Sequence, residues 1–213
     1  MEKIISEIIA DVRMVIDENE DNSALITEVD EVANDTDKII RSILTQSIDE
    51  VHQMAPLWRT SDIIASIDIA LENNTYGEMP ADFLRFVYAD AKDWALPVYN
   101  PIDQDSDEYK MQRSEFAGIR GSAEKPVVAI VPYKMVASGL RVEVYSTESD
   151  KLNLVYLKKA KEEEGKLEVA ELSYPAILRM IAKHYMINIG EQERAKYYDA
   201  MAMELLDISA NSE

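Results

Sequence analysis

The residues best suited to acid–base catalysis in this sequence are its two histidines, His52 and His184. Both lie in segments with helical spacing of apolar residues, and neither belongs to a His-Glu-x-x-His zinc motif. The chain has no cysteine, which excludes disulfides, thiolate zinc sites, iron–sulfur clusters and cysteine nucleophiles. We therefore predict that the protein is not an enzyme and needs no cofactor, and that both histidines lie partly exposed or at the edge of a core.

Patterns that bind phosphate are equally incomplete. The segment Gly118-Ile119-Arg120-Gly121 lacks the lysine and the glycine spacing of a P-loop. The basic run Lys158–Lys161 is followed at once by Glu162–Glu164, which is typical of a self-neutralising hairpin tip. We expect neither nucleotide chemistry nor a basic nucleic-acid patch from these residues.

Two acidic runs could supply the oxygen ligands that calcium prefers. In Asp103–Ser114 the sixth position is Glu108 where a calcium loop needs glycine, and Ser114 stands where it needs a bidentate glutamate. Asp17–Glu28 matches better, since it ends in Glu28 and has predicted helices on both sides. A solvated turn between helices is the simpler interpretation, and calcium binding by this segment stays an open alternative.

The composition describes an acidic chain that can bury a core. Of its 213 residues 47% are apolar and 30% are charged, and the formal net charge is −19. Such a surface repels phosphate backbones and anionic lipid heads. The sequence shows no basic leader before an apolar run, and no stretch approaches the roughly 18 unbroken apolar residues of a membrane span. We therefore expect an unexported protein without a membrane segment.

Apolar spacing predicts helices at both ends of the chain. Residues 1–75 contain no glycine, carry 17 acidic and 5 basic residues, and repeat isoleucine, leucine and valine every three to four positions. We predict a helical bundle here, with its third helix over Asp62–Leu71. Residues 173–213 regain the same period, which predicts two further helices that pack back on the bundle.

Residues 76–172 have a composition typical of strands and turns. Most of the glycines and prolines lie here, between runs of aromatic and β-branched residues. The predicted strands are Phe83–Ala89, Val127–Tyr133, Leu140–Tyr145 and Leu152–Leu157. We predict one small antiparallel sheet, a hairpin loop at Ser146–Asp150 and a long polar loop over residues 99–124. The fold class is then α+β, with an N-terminal helical bundle, a central antiparallel sheet and two C-terminal helices.

The middle of the chain also resembles a known family. It contains Met79-Pro80-Ala81-Asp82-Phe83-Leu84-Arg85-Phe86-Val87-Tyr88, then Lys92-Asp93-Trp94-Ala95-Leu96-Pro97-Val98, then Gln112, Arg120, Lys125–Ile130 and Leu140–Ser146. This order of a proline-acid-aromatic entry, a tryptophan corner, a polar loop and two strands resembles structural proteins of tailed bacteriophages. It looks most like the head-to-tail connector, or ring, proteins of crAss-like short-tailed gut phages. The resemblance covers about residues 79–146, a third of the chain.

The resemblance implies a virion protein at the portal vertex, assembled in the cytoplasm of the host bacterium. Members bind below the portal, form a closed ring and continue the channel through which DNA leaves. For this chain it implies a homo-oligomer of about twelve copies, with the portal protein and neighbouring tail ring proteins as partners. Passage of DNA is passive, and no membrane is contacted.

The long loop is the candidate contact between subunits or with the portal. It combines the aromatic and arginine side chains that interfaces favour. The candidate interface residues are Tyr109, Met111, Gln112, Arg113, Phe116 and Arg120. A mobile surface loop is the alternative for this segment. For the whole chain, the alternative is an acidic intracellular adaptor or regulator that binds one partner protein through its helical face.

Overall fold

The structure is a computed structural model that describes residues 1–17, 30–145 and 147–207. In chain order the elements are β1 (Glu2–Ile4), α1 (Ile5–Asp17), α2 (Asp30–Met54), β2 (Ile64–Ala70), β3 (Tyr76–Glu78), β4 (Phe83–Asp90), α3 (Asp107–Met111), β5 (Val127–Pro132), β6 (Leu140–Tyr145), β7 (Lys151–Lys158), β8 (Glu162–Glu163), β9 (Lys166–Glu168), α4 (Tyr174–Asn188) and α5 (Gln192–Leu205). Short 3-10 turns lie at Leu57–Arg59, Ser61–Ile63, Ala117–Ile119 and Glu171–Ser173.

The predicted α+β class is confirmed, with helices towards both ends of the chain and antiparallel sheets in the middle. The chain divides into two compact units, of which unit 1 joins Met1–Ile63 to Lys159–Glu213 and unit 2 is Ile64–Lys158. The predicted segments 1–75, 76–172 and 173–213 have different limits. Residues 64–75 lie in unit 2, and residues 159–172 lie in unit 1.

Unit 1 is built on the apolar faces that the helical spacing predicts. Ile8 and Val12 of α1, Leu44 and Ile48 of α2, and Ile177 of α4 are almost completely buried in one core. A three-stranded antiparallel sheet, in the order β1-β9-β8, accompanies the helices. Its β8–β9 turn uses Glu164 and Gly165, both with positive φ, as a tight hairpin turn requires. The C-terminal helices therefore pack on the N-terminal ones, as predicted.

His52 lies deeper than the sequence predicts. It is 1% exposed in unit 1, and its Nε2 accepts a hydrogen bond of 3.2 Å from the Ala170 backbone N–H. Burial lowers the pKa of His52 to about 4, although the Asp62 carboxylate opposes the shift. The imidazole is therefore neutral in the folded protein. It serves as an acceptor that holds the segment before α4 against α2.

The burial of His52 predicts a loss of stability in mild acid. Its folded pKa of about 4 lies below the ordinary histidine pKa of 6.5, so only the unfolded chain takes up a proton as the pH first falls below 6.5. Between about pH 7 and about pH 5 we expect the free energy of unfolding of unit 1 to fall by about 2 kcal/mol from this residue. Urea unfolding followed by helical circular dichroism measures the loss.

The matched comparison for this prediction uses the other histidine. His52→Gln should unfold with much less dependence on pH in this range, whereas His184→Gln should leave the loss contributed by His52 in place. A parent chain that is equally stable at both pH values would contradict a buried neutral imidazole.

Unit 2 packs two three-stranded antiparallel sheets around one core. The strand orders are β2-β7-β4 and β3-β6-β5, so the single predicted sheet is in fact two. Val128, Val142, Leu152 and Leu154 of the two sheets share the core with Trp94, which is 8% exposed. The four predicted strands are confirmed as β4, β5, β6 and β7.

The predicted hairpin loop at Ser146–Asp150 is wrong, because β6 and β7 belong to different sheets. Residues 147–150 instead connect the two sheets. Asp93 fixes this connection, since its carboxylate accepts 2.6 Å from the Thr147 hydroxyl and 2.8 Å from the Glu148 N–H. This short connection therefore crosses from one sheet to the other and does not form a hairpin.

The predicted third helix over Asp62–Leu71 is also wrong. After a 3-10 turn, Ile64–Ala70 forms strand β2, which pairs along its whole length with β7. From Ala65 to Leu71 apolar residues stand at every odd position, and polar or small residues (Ser66, Asp68 and Ala70) stand at the even ones, which is the period of a strand. The isoleucines add the stiff β-branched side chains that strands favour.

No helix within the described residues has the length and apolar character needed to cross a membrane. In the same part of the chain, no three His, Asp or Glu side chains are grouped so that they could hold a metal ion. The calcium hypothesis for Asp17–Glu28 falls on residues 18–28, which lie outside the described residues.

Candidate functional site

The long loop over residues 99–124 is folded onto unit 2 and carries its own short helix. Helix α3 begins at Asp107 because the Ser106 hydroxyl accepts a hydrogen bond of 3.1 Å from the Tyr109 N–H. Before the helix, the Ile102 N–H donates to the Val128 carbonyl at 2.8 Å and so joins the loop to β5. The loop is thus attached to the sheet by backbone as well as side-chain bonds.

Tyr109 is the inward anchor of this loop. Its ring is 5% exposed and packs edge to face with Tyr145, with 6.4 Å between ring centroids. Its hydroxyl donates 2.8 Å to Glu143 Oε2, which also accepts 2.9 Å from the Tyr145 hydroxyl. Tyr109 is therefore an internal packing residue in this structure, and its aromatic face is not available for a partner.

Glu143 is the centre of the network that holds the loop. Besides the two tyrosine hydroxyls, its Oε1 accepts hydrogen bonds from the Arg141 guanidinium, including one of 3.0 Å from Nε. Burial alone would raise the pKa of Glu143, but the bonds from Tyr109, Arg141 and Tyr145 outweigh it and lower the pKa. The same carboxylate, together with burial, raises the pKa of Tyr145. Glu143 thus stays ionised as the acceptor of three donors.

The sequence carries a local signal for part of this network. In the alternating strand Leu140–Tyr145, the residues Arg141, Glu143 and Tyr145 fall on one face. Alternation therefore predicts that these three side chains are neighbours. It does not predict Tyr109 as the fourth member, because that contact joins residues 34 positions apart in the chain.

Gln112 also points inward and closes the second half of the loop. Its Oε1 accepts 2.7 Å from the Gly121 N–H, and its Nε2 donates 3.0 Å to the Glu108 carbonyl. The absence of a side chain at Gly121 lets its backbone lie close to the sheet, since a Cβ there would lie 3.1 Å from Val127 Cβ and 3.2 Å from Tyr145 Cβ. Gln112 is 8% exposed and is therefore a brace for the loop.

The other four candidate residues point outward. Met111 is 48% exposed and Phe116 is 77% exposed, and Arg113 and Arg120 are also exposed. Arg113 lies over the Tyr109 ring, with 5.3 Å from its guanidinium carbon to the ring centroid. The predicted set therefore divides into two inward braces, Tyr109 and Gln112, and four outward residues.

The exposed apolar side chains of the neighbouring residues extend this set. We call Leu96, Tyr99, Met111, Phe116 and Ile119 the loop hydrophobics. Each is between 48% and 77% exposed, although residues of these types are usually buried. Their segments are tied together, because the Ala95 N–H donates 2.9 Å to the Ala123 carbonyl. Exposed aromatic, methionine and arginine side chains on a braced loop have the composition of a protein interface.

His184, the second histidine with catalytic potential, belongs to a polar cluster of unit 1. Its Nε2 lies 2.7 Å from Glu50 Oε2, and Lys183 bridges Glu50 and Asp199 at 3.1 and 2.9 Å. The opposed charges raise the pKa of Lys183 against the effect of burial. These contacts link α2, α4 and α5, so the cluster stabilises the packing of the three helices.

A scan against protein-family models finds no match for this chain, and a search of the curated proteins finds no match either.

Proposed function

We propose that this chain is a structural, non-catalytic subunit that assembles with copies of itself through the loop hydrophobics. By its resemblance over about residues 79–146, we assign the assembly to the head-to-tail connector of a tailed phage. There it would form a ring below the portal, contact the portal and neighbouring ring proteins, and continue the DNA channel at the portal vertex of the virion.

The observation that carries this proposal is the exposure of Phe116 on a loop that is firmly held. Exposing 77% of a phenylalanine to water is unfavourable by about 1–2 kcal/mol relative to burying it. The Glu143 and Gln112 contacts fix the loop, so a partner would not need to order it and would lose little entropy on binding. A pre-organised apolar surface of this kind favours recurrent contact with another protein surface.

The charge of the chain fits an assembly held by apolar contacts. Copies with a formal net charge of −19 repel one another at low ionic strength. Self-association through the loop hydrophobics should therefore strengthen when salt screens the repulsion. An acidic lining would also let DNA pass without being held by many phosphate contacts.

The test is to replace two loop hydrophobics by charged residues. We expect Phe116→Asp combined with Met111→Asp to weaken self-association by about tenfold or more, because both side chains would place a carboxylate in an apolar interface. Light scattering over a range of protein concentrations measures the assembly. Raising the salt concentration should increase the mass of the parent chain and not that of the variant.

The matched control is Met135→Asp combined with Met14→Asp, which adds the same two charges at methionines outside the loop, 82% and 59% exposed, in the turn between β5 and β6 and in α1. This variant should assemble like the parent chain. Equal assembly of all three proteins would contradict an interface at the loop. An adaptor that binds one regulator through a helical face predicts instead a monomer at every concentration and a stable one-to-one complex.

A further inference from the structure

The hairpin that joins β2 to β3 opens into a cleft. At its tip the Glu72 N–H donates 2.8 Å to the Tyr76 carbonyl, and Asn73 and Asn74 take positive φ values in the turn. Beyond the tip the two strands part, because β2 stays paired with β7 while β3 joins β6 in the other sheet. A cavity of about 410 Å³ lies between the diverging strands.

One wall of the cleft is a sheet edge without a neighbouring strand in the described structure. β2 is the outer strand of the order β2-β7-β4, and its middle residues Ser66, Ile67 and Asp68 are exposed. An outer strand presents backbone N–H and C=O groups to which an extended segment can add. The edge has only one charged residue, Asp68, and is otherwise rich in isoleucine, so it is poorly protected against such pairing.

The other side of the lining is aromatic. Arg141 lies between two tyrosine rings of the cavity lining, with 5.3 Å from its guanidinium carbon to the Tyr76 centroid and 4.8 Å to the Tyr133 centroid. Its guanidinium is also hydrogen bonded to Glu143. Arg141 is therefore neutralised by a carboxylate of its own sheet and contributes little net positive charge to the cleft.

The remaining charges of the lining are acidic. Asp68 comes from the β2 edge, Glu72 from the hairpin tip and Glu78 from the end of β3, and all three are exposed. All three residues belong to the lining of the cavity, where a cationic side chain would be attracted more strongly than on an open surface, and Asp68 also accepts 3.2 Å from the Asn153 side-chain amide. Charge complementarity thus favours lysine or arginine in the ligand and opposes an acidic segment, including most of this chain's own surface.

We propose that this cleft is a second binding site, which takes an extended, lysine- or arginine-bearing segment of a partner protein as an added strand along the β2 edge. The backbone of the segment pairs with β2, and its basic side chains reach Asp68, Glu72 and Glu78. This site is separate in the chain from the loop hydrophobics and goes beyond the assembly proposed above.

The probe is a synthetic peptide of about ten residues, the length of a long strand, in which lysine alternates with valine and threonine. Two comparison peptides carry glutamate in place of lysine, or proline at alternate positions. Each is titrated into the full chain while backbone amide resonances are followed. We expect the lysine peptide alone to shift the amides of residues 66–70 and 76–78, because glutamate is repelled and proline cannot donate to a strand.

A charge-reversal variant gives the quantitative arm of the test. Asp68→Lys combined with Glu78→Lys should weaken binding of the lysine peptide by about tenfold or more. The matched control, Asp105→Lys with Glu124→Lys, changes the net charge equally at exposed positions outside the lining and should bind like the parent chain. Added salt should weaken this binding, the reverse of its effect on self-association.

Four outcomes of the peptide experiments would overturn the proposal. They are the absence of shifts with the lysine peptide, equal binding of the glutamate peptide, shifts confined to other elements, and equal weakening by the control variant. Shifts of residues 66–70 on concentrating the protein without peptide would also overturn it, since they would make a second copy of the chain the occupant.

Discussion

Replacing Gly77 with alanine should lower the free energy of unfolding of unit 2 by about 3 kcal/mol. A Cβ on Gly77 would collide with Ile69 Cγ2 and would lie 2.9 Å from the Ala70 carbonyl oxygen. The first obstacle is a stiff β-branched side chain and the second is backbone, so neither can move without disturbing β2. Gly77 is therefore the position where β3 passes close to β2 before the two strands part.

Hydrogen exchange of core amides in β6 and β7 measures this loss in unit 2 without assuming that both units unfold together. The matched control is Gly118→Ala, because a Cβ on Gly118 would meet no atom within 4 Å and its φ is not positive. We expect the control to change the stability by less than about 0.5 kcal/mol. Gly77→Ala as stable as Gly118→Ala would refute the close packing of β3 on β2.

Glu143→Gln should lower the free energy of unfolding of unit 2 by roughly 3 kcal/mol at neutral pH. The amide keeps the shape of the side chain but loses the charge that accepts hydrogen bonds from Tyr109, Tyr145 and Arg141. The NH₂ group of the new glutamine would also place a donor against at least one of these donors. Because Tyr109 anchors α3, we expect amides of residues 107–112 to exchange faster in the variant than in the parent chain.

The pH dependence of this difference has a definite sign. The pKa of Glu143 is lowered from the ordinary glutamate value of 4.5, so the carboxylate stabilises the folded chain above that pH. The stability gap between the parent chain and Glu143→Gln should therefore be full at neutral pH and shrink as the pH falls below 4.5 through the folded pKa. Glu115→Gln, at an exposed carboxylate of the same loop, should show no gap at either pH. A gap that persists unchanged in acid would contradict the network.

The helical parts of the fold could be predicted because their apolar spacing is local. The positions Ile40, Leu44, Ile48 and Val51 recur every three to four residues, and the structure buries all of them in unit 1. The strand β6 was predictable for the same reason, since its alternation is complete within six residues.

The errors arise where two periods compete or where partners are distant in the chain. Ile63–Leu71 fits helical spacing loosely, whereas its part Ala65–Leu71 alternates as a strand does, and pairing with β7 decides in favour of the strand. Composition predicted that the long loop has interface character, but it could not show which side chains turn inward. Tyr109 and Gln112 are buried by Glu143 and Gly121, contacts that no local pattern encodes.

The central claim is that the outward half of the loop touches another copy of this chain. Photo-cross-linking from a benzophenone amino acid placed at position 116 tests it most directly, because Phe116 is the most exposed of the loop hydrophobics. We predict a covalent ladder of dimers and higher oligomers, whose cross-links join residue 116 of one copy to a different surface of the next, as a closed ring requires. Only monomer and intramolecular products, under conditions in which the same label at position 135 behaves identically, would contradict the account.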